Sequence, residues 1–238
     1  ISRMSGFSKI IAYRDPKSPI SEVYRTLRTN IKFASLEKEL KTIMFTSAGP
    51  NEGKSTIIAN YAVTLSYSGS RVLMVEGDLR NPTVHKMFGL QNRQGLTNIL
   101  INNDDYKKYV QNTMMDGLDV ITSGPKPPNP AELLGSSRMV NYLERFKADY
   151  DYVLIDTPPI VVVTDAALLA SVCDGAILVV SSGEVVVDAA VKAKELLEGA
   201  KANTIGVVLN KNKSAKMGNY YYYYYDDDDK LKKKRRSR

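Results

Sequence analysis

The segment Ala48-Gly-Pro-Asn-Glu-Gly-Lys-Ser55 has the residue types and spacing of phosphate chemistry. A glycine-rich turn that opens a helix points backbone N–H groups and the positive helix end at phosphate oxygens. Gly49, Pro50, Asn51, Glu52 and Gly53 would form that cradle, with Gly53 allowing close backbone approach. Lys54 would neutralise the β and γ phosphates of ATP, the Ser55 hydroxyl would ligate Mg²⁺, and Thr56, next in the first helical turn, would complete the nucleotide-binding set.

Two acidic positions complete the chemistry. Asp156 closes the apolar run Tyr152–Ile155 and precedes Thr157-Pro158-Pro159, the place where a P-loop protein keeps a carboxylate for the Mg²⁺ shell. Val75-Glu76-Gly77-Asp78-Leu79-Arg80 ends the strand after the P-loop helix. Its carboxylates would lie beside the P-loop if those two strands are neighbours. Glu76 and Asp78 stand two apart, which in extended backbone puts both on one side. One could hold Mg²⁺ while the other orients or deprotonates a nucleophile. The plainer readings are a turn or cap aspartate at 156 and a polar strand-to-loop transition at 76–80.

These residues need a frame. Short apolar runs at Thr42–Thr46, Arg71–Val75, Leu118–Thr122, Tyr152–Ile155, Ala176–Val180 and Thr204–Leu209 read as strands. Helical patterns lie between them, among them Lys54–Ser68, with Gly69 as its terminal cap, and Asp188–Glu198. The prolines at 127, 128 and 130 read as a stiff loop before a helix that starts after Asn129. Alternation of this kind predicts an α/β fold, a mostly parallel twisted sheet flanked by helices, with ligands at the carboxyl ends of the strands. A helix over Ser21–Lys38 precedes the first strand. The expected division is one domain over 1–218 and a low-complexity tail over 219–238 without buried periodicity.

Composition narrows the class. The net charge of +7 is uneven: without residues 226–238, which hold four acids and seven bases, the remainder carries +4. The domain is therefore only mildly basic, and its charge does not argue for nucleic acid. No apolar run approaches the roughly 18 residues of a membrane span. A single cysteine, Cys173, rules out an internal disulfide, suits the cytoplasm, and reads as core. The lone His85 lies in a polar helical stretch and reads as a surface residue without a metal role. Asn210, at the end of the last strand, either pairs with an adenine edge or simply ends the strand.

Together these motifs resemble the bacterial tyrosine kinases of capsule and exopolysaccharide synthesis, P-loop NTPases of the MinD-like class. The resemblance spans nearly the whole chain. It covers Walker A at Ala48–Ser55, Walker B at Val153–Pro158, the second acidic motif at Val72–Arg80, and the stretches Pro127–Leu134 and Gly206–Lys211. It implies catalytic roles for Lys54, Glu76, Asp78 and Arg80, and a metal set of Ser55, Glu76, Asp78 and Asp156. The family carries aspartate where this chain has Glu76, one methylene longer. Glu22, Arg25 and Arg28, three apart on one helix face, match a pattern that joins family protomers into a ring such as an octamer. From composition alone the same three residues read as a self-paired, solvated face.

The run Tyr220, Tyr221, Tyr222, Tyr223, Tyr224 and Tyr225 matches the family's autophosphorylation cluster, which makes all six the expected phosphoacceptors. From Asn210 to Tyr220 the chain spans at most roughly 33–36 Å, enough for its own site or a neighbour's. The resemblance further implies protein substrates, a membrane-bound polysaccharide co-polymerase as activator, and a cytoplasmic site at the inner face of the membrane. That attachment would run through the partner or through a preceding membrane segment. Two rivals are a partition-type ATPase switch and a nucleic-acid binder acting through the tail. The switch proteins carry a lysine where this chain has Gly49, and the tyrosine run has no place in them.

Overall fold

The structure, a computed structural model, describes residues 10–34 and 39–212. Its frame is a seven-stranded sheet: β1 Thr42–Ser47, β2 Val72–Glu76, β3 Gln111–Asn112, β4 Leu118–Ile121, β5 Tyr152–Asp156, β6 Gly175–Ser181 and β7 Thr204–Asn210. The order is β3-β4-β2-β5-β1-β6-β7, parallel throughout except for the edge strand β3. The six strands read from the sequence are present within a residue or two. Strand β3 is only two residues long and carries no apolar alternation, so no pattern announced it.

Buried strands with both faces covered explain the continuous apolar runs. In β1 the side chains alternate between two cores. Ile43 and Phe45 join one, and Met44 joins the other. The first core is covered by α1 (Ile11–Arg14), α2 (Pro19–Ala34), α3 (Lys54–Ser66) and α4 (Val84–Phe88). The second lies under α5 (Leu96–Asn102), α6 (Pro130–Leu134), α7 (Ser137–Asp149), α8 (Asp165–Ala170) and α9 (Val187–Gly199). Cys173 packs in this second core, and burial pushes its thiol up to about 12. At pH 8 only roughly one part in ten thousand would be thiolate. The native protein should therefore resist alkylation that goes to completion in denaturant; equal rates in both conditions would contradict the packing.

Helix α3 is buried from Ile57 to Ser66 because α1 and α2 lie over it. Each fully buried Ile, Val or Leu there contributes about 1.5–3 kcal/mol. Polar ties fix the overlay. The Asn60 carboxamide oxygen accepts the Ala12 N–H at 2.9 Å, and Arg28 donates to the Thr64 carbonyl at 2.8 Å. Arg28 thus sits at the carbonyl end of the P-loop helix, where a cation also suits the helix dipole. Past the helix end Gly69 takes the left-handed conformation, φ 87°, and its N–H bonds the Ser66 carbonyl. Among the described residues no helix is long and apolar enough to cross a membrane.

Candidate active site

Strands β1, β2, β5, β6 and β7 run parallel, so Ser47, Glu76, Asp156, Ser181 and Asn210 all end at one edge of the sheet. A cavity of about 750 Å³ opens there, lined by residues 49–56 with Ser47, Asp78, Asn81, Thr83, Lys86, Met87, Pro159 and Lys211. The P-loop turns through two left-handed residues, Asn51 at φ 62° and Gly53 at φ 88°. Two features favour glycine at 53. Its φ strains any L side chain, and a Cβ there would fall 2.2 Å from the Asn210 amide nitrogen.

Two strand ends, those of β6 and β7, pin this loop. The Glu52 carboxylate accepts the Gly49 N–H and, at 3.0 Å, the Ser181 N–H of β6. Asn210 donates its side-chain amide to the Glu52 carbonyl at 2.7 Å, and Lys211 donates to the Asn51 carbonyl at 2.9 Å. Lys211 also pairs with Glu184. Glu52 is 3% exposed, and its carboxylate staples the Gly49 amide of the loop to the end of β6. The Asn210 amide nitrogen thus engages the P-loop backbone, a contact that neither the adenine-edge nor the strand-end reading named.

At the floor of the cavity Lys54 and Ser55 converge on Asp156. The lysine ammonium lies 2.7 Å from Oδ1, and the serine hydroxyl donates to Oδ2 at 2.6 Å. Asp156 is 1% exposed. Burial pushes its carboxyl upward, and the Lys54 charge with the two hydrogen bonds pulls the other way. Two hard oxygen donors, the Ser55 hydroxyl and the Asp156 carboxylate, within hydrogen-bond distance of each other fit the oxygen preference of Mg²⁺.

The second acidic motif departs from the expected arrangement in three ways. First, β2 neighbours β5 and not β1, so Glu76 stands beside Asp156 in register, one strand away from the P-loop strand. Second, extended backbone stops at Glu76. Glu76 and Asp78 therefore diverge, and the expectation that they share a side fails. Third, Glu76 is fully buried and absent from the cavity wall. Its Oε1 accepts the N–H groups of Thr83 and, at 2.6 Å, Val84, donors at the start of α4 that have no acceptor within the helix. Its Oε2 accepts the Ser123 N–H at 3.4 Å and faces His85 Nδ1 at 3.5 Å. The longer side chain thus caps α4, and a direct place for Glu76 on a metal in the cavity is not what this geometry offers.

His85 is likewise no plain surface residue. Its side chain is 17% exposed, and its Nδ1 is buried against Glu76. Shortening Glu76 to aspartate withdraws the carboxylate from the α4 amides. Loss of such a cap costs about 1 kcal/mol, or roughly 2–4 °C in Tm for a chain of this size. A Glu76→Asp variant that melts at or above the native temperature would show that the cap contributes nothing.

Asp78 does reach the cavity. Its Oδ1 accepts the backbone N–H groups of Arg80 at 3.2 Å and Asn81 at 2.9 Å, and no described donor engages Oδ2. Arg80, expected to act on the reacting groups, turns elsewhere. Its Nε and Nη2 donate to the two carboxylate oxygens of Asp165 at 2.8 and 2.9 Å, and it does not line the cavity. Asp165 was not foreseen, because nothing in local spacing links it to a residue 85 positions earlier.

On α2, Glu22 pairs with Arg25, and Arg25 also donates to the Pro16 carbonyl. The self-paired face is thus what a single chain shows. Ile20, Val23 and Phe33 are exposed on the same helix. The expected phosphoacceptors Tyr220, Tyr221, Tyr222, Tyr223, Tyr224 and Tyr225, and the charge blocks that follow, lie outside the described residues. The geometry of the cavity therefore neither places these six tyrosines at Asp78 nor keeps them from it.

Residues 40–188 match the AAA domain family AAA_31. The tyrosine-protein kinase YwqD of Bacillus subtilis (strain 168) is 48% identical over 211 residues, 89% of each chain. Among solved structures, the chimerical protein CapA2B2 superposes with a TM-score of 0.83 at 43% identity, over 87% of this chain and 91% of the other. The kinase domain of the Escherichia coli tyrosine kinase ETK gives 0.81 at 33% identity, over 86% and 82%. Pyrococcus horikoshii MinD, in a complex with Mg-ADP, shares the fold alone, at 0.63 and 22% identity, over 73% and 71%.

Proposed function

This chain belongs to the family of bacterial tyrosine-protein kinases, and we propose that it moves the γ-phosphoryl group of ATP onto its own tyrosines at 220–225. The observation that carries the reading is the convergence of Lys54 and Ser55 on Asp156, at 2.7 and 2.6 Å, with a free oxygen of Asp78 on the same cavity. Ser55 and Asp156 would hold Mg²⁺, which when bound neutralises charge across the β and γ phosphates. The P-loop N–H groups and Lys54 bind the phosphates and stabilise the charge that builds on the departing ADP. Asp78 Oδ2 takes the phenolic proton as the tyrosine oxygen bonds to phosphorus and the bond to the ADP oxygen breaks. Neutral tyrosine, with a pKa near 10, needs that base at pH 7. Glu76 contributes from behind, by fixing α4 and the motif's backbone.

The ten residues from Asn210 to Tyr220 span at most roughly 33–36 Å, which reaches this cavity or that of a second copy. Transfer in trans, within a ring joined through Glu22, Arg25 and Arg28, is the arrangement we favour. Opening the Glu22–Arg25 pair would free both groups for a partner. Each phosphotyrosine adds about −1.5 to −2 charges. A fully modified cluster would be repelled by Asp78, Asp156 and Glu52, and the ring would come apart. Activation by the cytoplasmic segment of a membrane-bound co-polymerase would place the kinase at the inner face of the membrane and couple it to polysaccharide synthesis. Native mass before and after full phosphorylation tests the assembly: a ring that falls to monomers supports it, and an unchanged oligomer contradicts it.

A further inference from the structure

Asp165 opens α8, has no exposed surface, and uses both carboxylate oxygens on Arg80. A fully buried carboxylate costs several kcal/mol unless it is paired and hydrogen-bonded. An apolar pair would hold the two loops together as firmly. What the ion pair adds is direction, because a bidentate carboxylate fixes the guanidinium plane.

The direction matters because of what lies between. The loop after β2 is tied to the end of β5 and to the start of α8. At one, the Gly77 N–H donates to the Asp156 carbonyl at 2.8 Å, an approach so close that a Cβ on Gly77 would sit 3.0 Å from that oxygen. At the other, Arg80 meets Asp165. Asp78 stands between these two attachments, and the Arg80 backbone N–H is itself one of the two donors that orient Oδ1. Turning Arg80 therefore moves the amide that aims Asp78.

We propose that Asp165 is a positioning residue for tyrosine phosphorylation. Through Arg80 it holds Asp78 at the cavity edge, in register with the Asp156 loop. This rests on the reading of Asp78 as the base.

The test uses the full-length chain, with steady-state phosphorylation of a tyrosine peptide, ADP affinity and Tm measured on Asp165→Asn, Arg80→Lys, the double variant and Asp78→Asn. Residues that orient a functional group from behind cost about 10–100-fold when altered, so kcat should fall by that factor in each of the first two, while KM for ATP and ADP affinity stay within about twofold. The double variant should be no slower than the slower single, because both changes cut one link. Native kcat in Asp165→Asn, whatever its Tm, would overturn the inference, as would an equal loss of ADP affinity. If Asp165→Asn does not fold, Arg80→Lys decides alone, since that arginine is 35% exposed. An Asp78→Asn variant at native rate would instead sink the base assignment itself.

Discussion

Replacing Lys54 by methionine is expected to lower phosphoryl transfer by about a hundred- to a thousandfold, the usual cost of removing one preorganised charge from a transition state. Lys54 is 8% exposed and its ammonium lies 2.7 Å from the Asp156 carboxylate, in surroundings that screen little. The variant loses the cation that meets the phosphates and leaves Asp156 buried without its partner. Breaking a buried pair from one side costs about 3–5 kcal/mol, so a drop in Tm should accompany the loss of rate. Radiolabel transfer under saturating ATP measures the first, and a thermal melt the second. A methionine variant with native transfer would remove Lys54 from the mechanism.

The second large effect belongs to Asp78. Asparagine has the same shape and keeps an oxygen for the Arg80 and Asn81 N–H groups, so the loop should stay as it is. What disappears is the proton acceptor, worth about 10²–10⁴ in rate. Nucleotide affinity should remain near native, which separates this variant from Lys54→Met. If transfer in Asp78→Asn falls less than about fivefold against that expected range, another group takes the tyrosine proton.

Much of this site was legible in the chain because its signals are local. The P-loop is one contiguous turn whose residues must be small, cationic and hydroxylated in that order. Asp156 was marked by the apolar strand it ends. The six longer strands announced themselves by continuous apolar runs, since both faces of the sheet are covered.

What stayed hidden depends on partners far along the sequence. Glu52 looked like a cradle residue; its carboxylate proves to bind the Ser181 N–H of β6, which no spacing could disclose. Glu76 looked like a metal ligand because it sits two before Asp78. The strand ends at Glu76, and its extra methylene carries the carboxylate to the amides of α4. Arg28 was legible only as part of a charged helix face with Glu22 and Arg25, and its bond to the Thr64 carbonyl at the end of the P-loop helix was not. Arg80 was placed among the reacting groups because it belongs to the motif, and its geometry is explained only by Asp165. Strand order was equally unreadable. That β5 lies between β1 and β2 follows from how the crossovers pack, and it is what brings Glu76 beside Asp156.

The central claim is that the chain phosphorylates the tyrosines at 220–225, and intact mass tests it most directly. The protein would be incubated with Mg²⁺ and ATP in the presence of the cytoplasmic segment of the proposed membrane-bound co-polymerase, beside Lys54→Met and a variant with Phe at positions 220–225. The account predicts stepwise gains of one phosphoryl group in the native chain and none in either variant. Nucleotide binding without any gain in the native chain, or gains that persist with phenylalanine at 220–225, would contradict it.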